Sequence, residues 1–180
     1  MAMVEVTIDS IRVSLMSQQR IVILKEIDSD RFLPIWIGAY EAEAITLSLQ
    51  EIEVTRPLTH DLLRNVLNDL GAEVMQVNIT ELRNDVFYAR ILIQVNGREL
   101  EIDSRPSDAL ALAVRVHTPI FVSEDVMDEA ATIPELEVED GELPQGEESS
   151  DERLEVFENF LDQLELDDSS DESDEAADED

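Results

Sequence analysis

Apolar and polar residues alternate with a period of two along the start of the chain. Val4, Val6 and Ile8 share one face, and Ile11, Val13 and Leu15 continue it after a change of phase at Ser10. That pattern predicts a half-buried strand interrupted by a bulge. Ser17-Gln18-Gln19 turns into a second strand, Arg20 to Ile27, and Asp28-Ser29-Asp30 into a third, Arg31 to Ile37. The chain therefore opens as a three-stranded meander.

The period then lengthens. Between Ala39 and Glu53, Ala42, Ile45, Leu49 and Ile52 recur at helical spacing, with carboxylates on the other side. Thr59 is the expected N-cap of a second helix carrying Leu62, Leu63, Val66, Leu67 and Leu70, which Gly71 stops. Alternation returns at Val74, Val77 and Ile79, and again at Phe87, Ala89, Ile91 and Ile93. Asn84-Asp85 marks the turn between these two strands. Asn96-Gly97 is a hairpin signal leading into Arg98 to Asp103.

Ser104-Arg105-Pro106-Ser107-Asp108 reads as a helix start, with proline near the first helical position, ahead of the apolar run Ala109 to Val116. A buried helix is expected there. Ile120-Phe121-Val122 is a short last strand, and Ser123 caps a closing turn or helix through Ala131. Strands and helices in this mixed order predict an α+β fold, a mixed and largely antiparallel sheet with packed helices.

Composition divides the chain in two. Residues 1–134 read as one domain, and residues 135–180 as an acidic low-complexity tail, expected to be disordered apart from a short amphipathic helix near 153–165. Of the formal charge of −32, the first part carries −11 and the tail −21. Such a field repels nucleic acid at long range, so charge alone counts against a polyanion partner. Cysteine is absent, which excludes disulfides, thiolate metal sites and cysteine nucleophiles. With no apolar run long enough to span a bilayer, a cytoplasmic protein without membrane contact is expected.

Three places could carry chemistry. His60 stands at a helix start, where free amides and the helix dipole favour an anion, although a capping role explains it equally well. His117 lies in a helix-to-strand connection and receives no function. Glu41, Glu43, Asp61, Glu101, Asp103 and Asp108 offer oxygen ligands for Mg²⁺ or Mn²⁺, but scattered carboxylates in so acidic a chain also make an ordinary solvated surface. The segment from Asp103 to Asp108 is the densest, with two carboxylates, a guanidinium and two hydroxyls at a strand-to-helix junction.

Leu33-Pro34-Ile35-Trp36-Ile37-Gly38 with Glu41-Ala42, Arg56-Pro57-Leu58-Thr59-His60-Asp61-Leu62, and Glu101 to Ala109 together resemble the bifunctional nuclease family. The likeness covers essentially Met3 to Ala131. It implies an α+β domain, usually oligomeric, whose plant members are described as cleaving DNA and RNA. Some of those members carry a C-terminal helical UVR module, for which the segment from Leu154 is too short and too acidic.

The resemblance maps shared polar positions onto Glu41, His60, Asp61, Asp103, Arg105, Ser107 and Asp108. The expectation is a metal-assisted nuclease hydrolysing phosphodiester bonds. In it Asp103 and Asp108, with Glu41 or Asp61, hold Mg²⁺ or Mn²⁺; His60 orients or activates water; and Arg105 stabilises phosphate charge. Arg56 and Ser107 would bind substrate. The alternative is a non-enzymatic homo-oligomeric binding or regulatory module in which the same residues make caps and subunit contacts. A basic cleft holding Arg56, Arg105 and Arg115 would favour the first, and their dispersal the second.

Overall fold

A computed structural model describes residues 2–13 and 19–133. The expected acidic tail and its short helix lie outside the described residues. Among the described residues, seven strands and four helices follow in the order β1 (Met3–Val13), β2 (Arg20–Glu26), β3 (Phe32–Ile37), α1 (Ala39–Leu49), α2 (Thr59–Asp69), β4 (Ala72–Arg83), β5 (Val86–Val95), β6 (Arg98–Ser104), α3 (Pro106–Val116), β7 (Ile120–Ser123) and α4 (Glu124–Ala130). The α+β class is as expected.

The strands form one mixed sheet in the order β3-β2-β1-β7-β4-β5-β6. Every neighbouring pair is antiparallel except β4 and β7. The change of phase at Ser10 appears as a register shift between Ile8 and Ser10. Asn84 and Asp85, and then Asn96 and Gly97, have positive φ at both turn positions, the type I′ geometry that suits the twist of a hairpin.

One face of the sheet is buried. Cross-strand partners Val77 and Ile91, Ile79 and Ala89, and Val6 and Ile120 all point into it. Against it lies α3, whose Ala109 to Ala113 are almost wholly shielded from water. The sheet curls around this helix. Trp36 of β3 and Phe87 of β5, which belong to opposite flanks of the strand order, line a single cleft with Pro106 and Ser107 at the start of α3.

Two helix boundaries differ from expectation. The first helix ends at Leu49, because Glu51 turns left-handed and leaves Ile52 half exposed. The second is capped at Leu58 instead of Thr59, since Asp61 reaches back and accepts the Leu58 backbone N–H at 2.9 Å. Among the described residues no helix is long and apolar enough to cross a membrane.

Candidate functional site

Three helix starts meet at one point. Glu41 is the third residue of α1, His60 the second of α2, and Arg105 the N-cap of α3 with Asp108 one turn on. Chain connectivity explains each position. Gly38 ends β3 and opens α1, Pro57 precedes the α2 cap, and Pro106 fixes the first turn of α3 after β6. Each helix N-terminus carries roughly half a positive charge, so their meeting favours anions, whether side-chain carboxylates or a phosphate.

The side chains form a continuous chain of contacts. His60 Nε2 lies 3.1 Å from Asp108 Oδ1. Arg105 donates to the same carboxylate twice, Nε to Oδ2 at 2.7 Å and Nη2 to Oδ1 at 3.0 Å. Its Nη2 also pairs with Glu41 Oε1 at 2.9 Å. Gly38 makes room for this, because a Cβ there would collide with the Glu41 carboxylate. Burial pushes the Asp108 carboxyl up, but the Arg105 guanidinium and His60 outweigh it and hold it below the ordinary aspartate value. The same carboxylates push Arg105 upward, so it stays charged.

His60 is almost buried yet forms part of the wall of a cleft of about 720 Å³ shared with Tyr40, Glu41, Glu43, Arg105 and Asp108. Among the described residues Nδ1 has no hydrogen-bond partner, and Nη1 of Arg105 has none either. One ring nitrogen and one N–H pair are thus left to meet a ligand.

The remaining expected residues lie elsewhere or serve other partners. Asp61 accepts Arg115 Nε at 2.7 Å, and Arg115, 4% exposed, also donates to the carbonyls of Ala111 and Ala44. Asp103 is opposite Arg90 across β5 and β6, on the face away from the helices. Ser107 is buried in the first turn of α3 and lines the Trp36 cleft. Arg56 is exposed between α1 and α2 and lines neither cleft. The three arginines do not form a common basic cleft. Glu41, Asp61, Asp103 and Asp108 likewise do not converge, and among the described residues no three His, Asp or Glu side chains gather to hold a metal ion.

Two residues named in the sequence take roles that it did not assign them. Arg115 was legible as a lone charge in an apolar helix, which burial obliges to find a carboxylate. Gly38 gave no signal beyond ending a strand.

The bifunctional nuclease domain model matches residues 22–135. An uncharacterized protein of Mycobacterium tuberculosis is 40% identical over 165 residues, covering 91% of this chain and 96% of that protein. Bifunctional nuclease 1 of Oryza sativa subsp. indica is 32% identical over 106 residues, 57% of this chain and 32% of that one. Bifunctional nuclease 1 of Arabidopsis thaliana is 26% identical over 106 residues, 57% of this chain and 33% of that one. The match thus spans about a third of each of these two plant proteins.

Proposed function

The chain belongs to the bifunctional nuclease domain family, and from that premise we propose that it hydrolyses phosphodiester bonds of DNA or RNA at the His60, Asp108 and Arg105 cluster. The observation that carries this reading is the 3.1 Å contact between His60 and Asp108 where three helix N-termini meet. Asp108 holds the imidazole in the tautomer with the proton on Nε2, leaving Nδ1 to take a proton from water. Arg105 turns Nη1 toward a phosphate oxygen as charge develops on it. Water then forms the new P–O bond, and the sugar oxygen leaves with a proton from solvent.

The carboxylates do not fit a bound Mg²⁺ or Mn²⁺. The Arg105 guanidinium already bridges Glu41 and Asp108, Asp61 is tied to Arg115, and Asp103 faces the other way. Water activation is therefore assigned to His60 and no step to a metal ion. The test is cleavage of labelled single- and double-stranded DNA and RNA by purified protein, with Mg²⁺, Mn²⁺ or chelator. Activity should survive chelator and fall at least about 100-fold in His60→Gln and Asp108→Asn, the scale of a lost general base. Undiminished cleavage by both variants overturns the assignment.

A second reading, the non-enzymatic homo-oligomeric module, draws on a different surface. The helix α2 buries only His60, while Leu62, Val66 and Leu70 stand exposed in one stripe along it. An unpartnered apolar stripe of this kind is self-complementary about a two-fold axis. A chain that assembles through α2 and cleaves nothing would satisfy that reading alone.

A further inference from the structure

We propose that the substrate is single-stranded nucleic acid, and that the bases on either side of the reacting phosphate stack on Tyr40 and Trp36. This rests on the reading of His60, Asp108 and Arg105 as the phosphate-cleaving group.

Arg105 is the wall between two clefts. On one side is the 720 Å³ cleft with His60 and Tyr40, and on the other a cleft of about 370 Å³ with Trp36, Phe87 and Ser107. Each cleft carries an aromatic side chain open to solvent, Tyr40 at 85% and Trp36 at 58% exposed. Large aromatics are scarce in this chain, with one tryptophan and two tyrosines in 180 residues. Two of those three therefore flank Arg105, among the described residues the one guanidinium that lines either cleft.

The energetics point to unpaired bases. Duplex binding draws on many Lys and Arg contacts that release counterions, and here, among the described residues, Arg105 is the sole Lys or Arg lining the clefts, inside a domain of net negative charge. Affinity must come from another source. Base stacking on aromatic rings supplies it and is tolerant of sequence, but a ring can stack only on a base freed from its pair. Placing the rings in separate clefts on either side of Arg105 splays neighbouring bases apart and presents the phosphate between them to Nη1. Since stacking does not depend on the 2′-hydroxyl, DNA and RNA strands are both accepted.

Trp36 is the chain's one tryptophan, so its emission reports on its own cleft without requiring turnover. Wild-type protein is titrated with oligothymidylate and oligouridylate of about four nucleotides, and with a blunt duplex, immediately after mixing. Single strands should quench the emission saturably and the duplex should not. Tyr40→Ala should weaken binding about tenfold or more and Tyr40→Phe should not, as stacking on a ring requires. The affinity should fall with salt at a log–log slope near −0.7, the value for one phosphate contact on a single strand.

Cleavage is scored separately. Cleavage of both single and double strands with no quenching overturns the stacking sites and leaves the nuclease reading standing. Quenching without cleavage removes the hydrolase reading and retains the single-strand site. Emission that changes with protein concentration alone, alongside a doubled mass in light scattering and no response to oligonucleotide, assigns the aromatics to a second copy and overturns the proposal.

Discussion

Arg115 Nε meets Asp61 Oδ1 at 2.7 Å beneath the helices, and the same guanidinium reaches the carbonyls of Ala111 and Ala44, so one side chain joins α1, α2 and α3. Removing one partner of a buried pair costs about 3–5 kcal/mol because the other charge is stranded. Arg115→Met should therefore lower the melting midpoint by about 10 °C or more in a domain of this size. Adding Asp61→Leu should restore part of the loss, which calorimetry on the single and double variants measures.

Acid should destabilise the domain in a defined window. Asp61 is pushed up by burial, but the Leu58 amide and Arg115 prevail and leave its pKa below the ordinary value; Asp108 is likewise depressed. Groups whose folded pKa is depressed stabilise fully above the unfolded value and lose that contribution as pH falls through the folded one. Urea midpoints should hold down to about pH 5 and decline below about pH 4, near and below the unfolded aspartate value. In Asp61→Asn the decline should be shallower.

Arg105→Lys should separate charge from geometry. Lysine keeps the positive charge but loses the paired donors that grip Asp108 and Glu41 while leaving Nη1 free. The expected result is a kcat about 10- to 100-fold lower with an unchanged melting point, in keeping with the loss of a positioned donor to a charged transition state. Steady-state kinetics beside a melting curve provides the check. Arg105 is largely exposed, so stability should not respond.

Mass measurements will test the α2 stripe. If a second copy covers Leu62, Val66 and Leu70, wild-type protein should scatter light as a dimer at low micromolar concentration. Leu62→Glu with Leu70→Glu should then halve the mass, because both side chains already face solvent within one chain and their replacement leaves the core intact. A monomeric wild type ends the idea.

Much of the fold could be read from alternation and turn chemistry. All seven strands, the Asn96-Gly97 hairpin and the apolar α3 follow from residue pattern. The same period of two already separates Asp103 from the helices: Ile102 and Ser104 share one face, and Asp103 takes the other. The order of strands was not legible, since it depends on which edges β7 joins. Nor was the curl that brings Trp36 and Phe87 together, which is a property of the whole sheet. Asp61 and Asp108 occupy equivalent third positions of their helices, and only the distant Arg115 distinguishes a structural carboxylate from one facing the cleft.

The position of β7 bears on how this chain is made. It alone bridges β1 and β4, yet among the described residues it is the last strand to leave the ribosome. A nascent chain that has emerged only through α3 holds two separate hairpin systems with the inner edges of β1 and β4 unpaired, the kind of open backbone that templates aggregation. Until Ile120–Ser123 is threaded between them, β1 and β4 share no strand partner. Stalled synthesis or truncation just before Ile120 should therefore yield a species dependent on chaperones, although it already contains His60, Arg105 and Asp108.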